Sequence, residues 1–127
     1  MNQTETITGF TYVMGSVLCT VYGQIVVKWQ VSKAGALPAS FMERMAFLFN
    51  LILNPWIMSG VFAGFLALIC WLAAMTKFEL SYAYPFMSLA FVFVMVLSAV
   101  LFHEPLTAAK ILGILLIICG IVIGSRG

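Results

Sequence analysis

Charge is scarce in this sequence. Only 8% of its 127 residues are Asp, Glu, Lys or Arg, whereas soluble domains carry about 25%. Six Lys and Arg against four Asp and Glu give a net charge of +2, and they are too scattered to form a basic patch for nucleic acid. Because 64% of the residues are hydrophobic, intrinsic disorder is also excluded. The composition indicates an integral membrane protein.

Residues that commonly carry catalysis or bind metal are few. There is one His, and the three cysteines, Cys19, Cys70 and Cys119, all lie inside apolar runs. An odd number of cysteines in such positions argues against a disulfide framework. The chain has no nucleophile–base constellation, no metal-ligand spacing and no phosphate-binding G-x-x-x-x-G-K-[ST] loop. We therefore expect no enzymatic activity, no metal and no cofactor.

Four long uncharged runs predict an all-α membrane protein, because about 20 apolar residues span the hydrocarbon core. We expect a single integral membrane domain over residues 1–127 with four transmembrane helices, at about 8–30, 55–76, 80–102 and 107–125. The first run follows Glu5 without any Lys or Arg, so it is expected to be retained rather than cleaved as a signal peptide. Short connections after the second and third helices predict antiparallel neighbours.

The second apolar run is long enough to need division. Ser40 and Glu43 form an S-x-x-E pattern, which is typical of a capping box at a helix start. Asn54 suits a helix N-cap, and Pro55 suits the first helical position. We therefore predict a separate interfacial helix at about 41–52. The alternative is that the second transmembrane helix begins early and is kinked at Pro55.

Lys and Arg are distributed unevenly over the predicted connections. An even number of crossings places both termini on one side, with Lys77 and Arg126. The other side holds four cations, Lys28, Lys33, Arg44 and Lys110. The positive-inside rule weakly favours a cytoplasmic location for this second group, with both termini outside.

Polar residues inside the first apolar run indicate a substrate groove. Ser16, Thr20, Gln24 and Lys28 recur every four residues and so share one side of a helix. In a lipid bilayer such a row must face protein or a water-filled cavity. For Ser16 and Thr20 the alternative is hydrogen bonding between packed helices, and for Lys28 it is extension of the side chain to the membrane surface.

The start of the third transmembrane helix offers further groove residues. Tyr84 and Ser88 are four residues apart, and Pro85 between them is expected to kink the helix. Tyr82 and Tyr84 are candidates for the groove, although both also fit the aromatic belt of membrane helices.

Charged residues near helix ends suggest what the groove could bind. Lys28, Lys33, Arg44 and Lys110 could together bind a phosphate headgroup. The alternative is that they lie on one side of the membrane only because the positive-inside rule places them there. Glu79 and Glu104 are either coupling residues or solvated end charges.

Small residues on the fourth helix predict close helix packing. Gly113, Gly120 and Gly124 lie along one side of it, and such rows allow helix backbones to approach closely. We expect this side to form a dimer interface.

Three stretches resemble the small four-helix branch of the drug/metabolite transporter superfamily, which includes small multidrug resistance exporters. They are residues 81–89 (SYAYPFMSL), 103–107 (HEPLT) and 113–124 (GILLIICGIVIG). The resemblance covers about residues 10–30 and 54–125 and implies antiparallel dimers. The exporters exchange protons for cations through a Glu in the first helix, and here Thr20 stands in its place.

The chain is more similar to the aminoarabinose–phosphoundecaprenol flippase subunits. Gly23-Gln24 followed by Lys28, the motif AYPxxSL at 83–89, and Glu104-Pro105 carry this resemblance. It implies a flippase that moves a polyprenyl-phosphate-linked monosaccharide across the bacterial inner membrane, with this lipid-linked sugar and membrane lipids as its ligands. It also implies a homodimer, or a heterodimer with a similar small subunit.

Two other functions remain open at this stage. One is export of cationic compounds, with Glu79 or Glu104 replacing the missing acid of the first helix. The other is a non-transporting membrane subunit that stabilises a partner through its glycine rows.

Overall fold

The computed structural model describes residues 2–126, and every regular element in that range is helical. Helix α1 spans Gln3–Ala34, α2 spans Phe41–Leu53 and α3 spans Pro55–Met75. Helix α4, Leu80–Ala83, continues through a 3₁₀ segment, Tyr84–Ser88, into α5, Leu89–Leu101. Helix α6 spans Ala108–Gly124.

Three stretches are long and apolar enough to cross a membrane: α1, α3, and the combined stretch Leu80–Leu101. The fourth candidate, α6, is apolar but has only 17 residues, at the short end of the range for a membrane span. Its start is fixed by Thr107, whose side chain accepts a hydrogen bond from the Lys110 N–H at 3.2 Å. The four predicted crossings are therefore matched by three full-length spans and one shorter apolar helix.

The first helix, Gln3–Ala34, contains the membrane span expected at about 8–30 and extends beyond it at both ends. Its N-terminus is capped by Asn2, whose side chain accepts a hydrogen bond from the Glu5 N–H at 2.8 Å. Its C-terminus is at Gly35, where φ is +91°, a conformation that glycine adopts without steric cost. The helix ends where the backbone is capped, which apolar length alone does not determine.

The separate helix before α3 is confirmed. Ser40 caps α2, and its hydroxyl accepts a hydrogen bond from the Glu43 N–H at 3.2 Å. Asn54 then leaves the helical conformation, with ψ at 129°, and its side chain accepts from the Trp56 N–H at 2.8 Å. Pro55 occupies the first turn of α3. The chain is thus interrupted at Asn54, and a single kinked helix is ruled out.

Helix α1 is the centre of the bundle and packs along α3 on one flank and against α5 on another. Its valines Val13, Val17 and Val21 form the buried core together with Ala74 and Ala83. Helix α6 packs against the 3₁₀ segment and α5, but none of its residues is buried within the chain. Helix α2 likewise has no buried residue.

The contact between α1 and α3 depends on glycine. A Cβ placed on Gly23 would lie 3.1 Å from the carbonyl oxygen of Gly60, and one placed on Gly60 would lie 3.5 Å from the Gly23 carbonyl oxygen. The two backbones therefore approach directly at this level. Close approach of this kind is the usual role of small residues in membrane helices, where packing replaces the hydrophobic effect.

Polar contacts hold the same two helices beyond the glycines. Gln30, only 6% exposed, accepts a hydrogen bond from the Asn54 side-chain amide at 3.1 Å. The hydroxyls of Tyr22 and Ser59 are 2.9 Å apart. Because Asn54 also caps α3, the Gln30 contact ties the break before α3 to the end of α1.

We predict that Gly23→Ala lowers the unfolding free energy by about 1–3 kcal/mol, because the added methyl group would meet the Gly60 backbone. Gly64→Ala is the matched control, since a Cβ there has no neighbour within 4 Å. It should leave stability unchanged or raise it by up to about 1 kcal/mol through helix propensity. Unfolding of both variants in detergent measures the difference, and equal destabilisation would contradict the close approach at Gly23.

Candidate functional site

A cavity of about 440 Å³ lies between α1 and the stretch that runs from the 3₁₀ segment into α5. Its wall combines polar and apolar side chains. The lining residues are Thr20, Gln24, Tyr84, Met87, Ser88, Ala90, Phe91 and Val94. The structure thus brings together four of the polar residues that the sequence indicated, two from α1 and two from the 3₁₀ segment.

The polar groups in this cavity have no side-chain hydrogen-bond partner within residues 2–126. Other hydroxyls of the same helix are satisfied locally: Thr8 and Thr11 each donate to the carbonyl one turn earlier, at 2.9 Å. The hydroxyls of Thr20 and Ser88 form no such bond. Every fully buried side-chain oxygen or nitrogen among the described residues has a partner, so these two unpaired hydroxyls are not fully buried. They are therefore accessible from the cavity and free to bond a ligand.

The 3₁₀ segment places Tyr84 and Ser88 at the cavity. Pro85 has no N–H to donate to the preceding turn, so the α-helical pattern is interrupted there. The chain tightens into 3₁₀ geometry from Tyr84 to Ser88 and resumes as α5. Tyr84 remains 64% exposed, and its ring packs edge-on against Trp71 at 6.0 Å between centroids.

The polar row of α1 does not face in a single direction. Four residues of an α-helix advance about 400°, so each step of the row rotates by about 40°. Ser16, the first member, is 1% exposed and donates a hydrogen bond to the Ala67 carbonyl of α3 at 2.9 Å. Its hydroxyl joins two helices, whereas Thr20 and Gln24, further round, line the cavity.

A second, smaller cleft lies on the α3 side of the same residues. It measures about 190 Å³ and is lined by Cys19, Thr20, Gly23, Gln24, Val27, Gly60, Val61, Gly64 and Ala67. Thr20 and Gln24 therefore border both spaces. This follows from the rotation of the polar row, which places them between the α3 flank and the α5 flank of α1.

Lys28, the last member of the row, pairs with a residue beyond α5. Its ammonium lies 3.9 Å from the carboxylate of Glu104, and the two side chains are 54% and 39% exposed. Lys28 is one turn, about 6 Å, beyond Gln24 along α1. The pair thus lies beyond Gln24 at the end of α1 that faces the α5–α6 connection.

The other three cations have local partners. Lys33 lies over the Trp29 ring, 4.2 Å from its centre. Arg44 donates to the Pro38 carbonyl at 2.7 Å, and the Lys110 ammonium donates to the Pro105 carbonyl at 3.1 Å. These contacts do not join the cations into one cluster. Lys28 differs from them in lying one helical turn from a cavity residue, Gln24.

Tyr82 and Glu79 lie away from the lining residues. Tyr82 packs in an aromatic cluster with Phe10, Phe78 and Phe86, at 5.4–6.3 Å between ring centroids. Glu79 stands at the start of α4, exposed, without a side-chain capping hydrogen bond. Gly113, Gly120 and Gly124 of α6 face open space, since a Cβ on each would have no neighbour within 4 Å.

Sequence reasoning missed two features of this site. One is the apolar wall of Met87, Phe91 and Val94. These residues follow one another at helical spacing, a signal that the sequence does contain. The pairing of Lys28 with Glu104 has no sequence signal, because the partners are 76 positions apart and meet only through the packing of α1 on α5.

A family model described as the EamA-like transporter family matches residues 3–126. The chain belongs to the EamA-like transporter family. This membership and the apolar helices make it a multi-pass protein of the bacterial inner membrane. No solved structure matches the chain.

Proteins whose names state a function are similar over most of this EamA-like chain. A protein of Aeromonas hydrophila is 36% identical over 117 residues, which cover 91% of this chain and 78% of the relative. One of Aeromonas salmonicida is 34% identical over 97% of this chain and 82% of its own length. Both are named "probable 4-amino-4-deoxy-L-arabinose-phosphoundecaprenol flippase subunit ArnF". A protein of Pseudomonas fluorescens named as the ArnE subunit is 28% identical over 84% of this chain and 88% of its own length.

We predict that Ser16→Ala lowers the stability of the folded chain by about 1 kcal/mol, because it removes a buried hydrogen bond between helices. Thr20→Val, a substitution of nearly equal shape one turn later, removes no hydrogen bond and should leave stability within about 0.5 kcal/mol of the original. Thermal unfolding in one detergent compares them. Equal losses would mean that Thr20 serves packing in the same way as Ser16.

Proposed function

We propose that the chain is a subunit of a flippase that moves a polyprenyl-phosphate-linked monosaccharide between the leaflets of the bacterial inner membrane. The observation that carries the proposal is the cavity beside α1, which is lined by four polar side chains without side-chain partners. One of them, Gln24, lies one helical turn from the accessible Lys28. Relatives named as flippase subunits for such a lipid support it.

The chemistry of the cavity suits a sugar next to an anion. Thr20, Gln24, Tyr84 and Ser88 offer hydroxyl and amide groups, which can exchange hydrogen bonds with sugar hydroxyls. Lys28 supplies the positive charge that a phosphate requires. Because the cavity is surrounded by apolar surface, these polar contacts would replace the water that the headgroup loses on entering the membrane.

The polyprenyl chain requires no enclosed path. Phe91, 65% exposed, belongs to the cavity wall and also to the apolar outer surface of α5. A lipid tail can remain in the bilayer against such a surface while the headgroup occupies the polar cavity. The described residues thus provide a route for the part of the lipid that cannot cross the hydrocarbon unaided.

We place the chain in the membrane as four crossings with both termini outside. Helix α6 is the fourth crossing, and its 17 residues require local thinning of the bilayer or lysine side chains that reach the surface. Helix α2 lies at the interface: its large apolar residues, Phe41, Met42 and Phe49 among them, are exposed within the chain and need lipid or partner contact.

The cavity is less suited to a cationic drug. None of its lining residues is an acid, and a lone cation bound to Glu104 would leave Lys28 without its partner. A purely structural subunit would have no reason to keep four unpartnered polar groups within apolar surroundings, since each is costly there.

We predict that Lys28→Ala reduces transport at least tenfold, because the phosphate loses its counter-charge. Gln24→Leu should impair transport by weakening sugar recognition, since a polar group of the headgroup would lose its hydrogen-bond partner. Thr20→Glu should block transport by placing a negative charge near the phosphate. Lys33→Ala is the matched control, because Lys33 lies on the same helix but rests on Trp29.

Transport can be measured in phosphatidylcholine vesicles that contain the purified chain and a polyprenyl-phosphate amino sugar. A membrane-impermeant amine reagent then modifies only the lipid that faces outward, and the modified fraction reports movement between leaflets. Tight binding of a lipophilic cation that survives Lys28→Ala would overturn the proposal in favour of cation export. Vesicles that require a second, similar subunit for any transport would establish a heteromeric flippase.

We also propose that α6 forms the contact with a second copy of the chain or a similar small subunit. The space around Gly120 and Gly124 is open within one chain, and relatives carry the names of two different flippase subunits.

Gly120→Leu should therefore leave the single chain folded but separate the dimer, since a bulky side chain prevents close backbone approach. Light scattering in detergent and crosslinking in membranes measure the association. The control is Leu115→Ala, on the opposite side of the same helix from Gly120 and Gly124, which should leave association unchanged. An active monomer would contradict the proposal.

A further inference from the structure

The ion pair of Lys28 and Glu104 joins two elements that no other described side-chain hydrogen bond or ion pair connects. Lys28 belongs to α1, and Glu104 to the connection between α5 and α6. At 3.9 Å and with both side chains more than one-third exposed, the pair adds little stability of its own. Both charged groups remain accessible to a ligand that approaches the cavity from this end.

The backbone that carries Glu104 is well anchored. The Glu104 N–H bonds the Ser98 carbonyl at 3.4 Å, and His103 before it has φ at +54°. The next residue is Pro105, whose carbonyl accepts from the Lys110 ammonium at 3.1 Å. The backbone of Glu104 is thus held by contacts with α5 and α6, whereas Lys28 has a long flexible side chain that can turn from Glu104 to a ligand.

A ligand with only a negative charge would leave this site unbalanced. If a phosphate drew Lys28 away, the Glu104 carboxylate would lose its partner and would face a second anion nearby, which is unfavourable. A ligand with both an anion and a cation avoids this cost, because one ion pair is exchanged for two.

We propose that Lys28 and Glu104 together form a recognition site for a zwitterionic headgroup, with Lys28 binding the phosphate and Glu104 binding the protonated amine of an amino sugar. This rests on the proposed function and adds the residue that determines specificity. Selectivity for an amino sugar over a neutral sugar then comes from Glu104, while affinity for the lipid phosphate comes from Lys28.

The other acidic residues provide the comparison. Glu5 and Glu79 lie near the opposite end of the bundle, in the first turn of α1 and at the start of α4. Glu43 lies in the first turn of α2. Glu79→Gln is the matched control, since it removes one exposed carboxylate without touching Lys28.

The test compares two lipids that differ only in charge: a polyprenyl-phosphate amino sugar and the same lipid with its amine acetylated. Dissociation constants are measured in nanodiscs for the original chain and three variants. The original chain should prefer the free amine by about tenfold, the usual effect of one charge-assisted hydrogen bond. Glu104→Gln should reduce the preference to about onefold, and Glu79→Gln should retain it. Lys28→Ala should weaken binding of both lipids and retain the preference.

Each other result has a definite meaning. If the original chain binds both lipids equally, or if Glu104→Gln retains the preference, the zwitterion site is wrong while the proposed function stands. If the original chain binds neither lipid, the proposed function fails and the inference fails with it. Equal binding of both lipids by the unaltered chain would refute the site even if a variant folds poorly.

Discussion

The close approach of α1 and α3 at Gly23 and Gly60 is the contact on which the rest of the bundle depends. With a Cβ on Gly23 only 3.1 Å from the Gly60 carbonyl oxygen, the helices could not keep this separation if position 23 carried a side chain. Ser16 and Gln30 add hydrogen bonds to α3 and Asn54 on either side of this contact. Because α1 is held in this way on its α3 flank, its other flank is presented to α5.

The rotation of an α-helix then separates packing from binding along a single row of residues. Ser16 faces α3 and is buried, Thr20 and Gln24 border the cavity, and Lys28 reaches Glu104 beyond α5. Each step turns the row by about 40°, so polar residues at equal spacing take different roles. The stretch Leu80–Leu101 is interrupted at Pro85, and this interruption places Tyr84 and Ser88 on the facing wall of the cavity.

Much of this arrangement could be predicted from the sequence, because it depends on local chemistry. The helix caps at Ser40 and Asn54 and the proline at position 55 placed α2 and α3 almost to the residue. The ends of α1 lie outside the expected membrane span of 8–30, and they could not be predicted because apolar length does not determine where a helix is capped. Three features could not be predicted, since each depends on which flank of one helix meets another. They are the burial of Ser16 against α3, the packing of Tyr82 in an aromatic cluster and the pairing of Glu104 with Lys28.

The central claim is that the headgroup of a lipid-linked sugar occupies the cavity between α1 and the start of α5. A photoreactive group on the sugar of a polyprenyl-phosphate lipid, activated in membranes that contain the chain, tests it most directly. Mass spectrometry of the labelled peptides should find the label within residues 20–28 and 84–94, and excess unlabelled lipid should remove it. Label concentrated on the outer surface of α3, at residues such as Phe62 and Phe65, and unaffected by competitor would contradict the account.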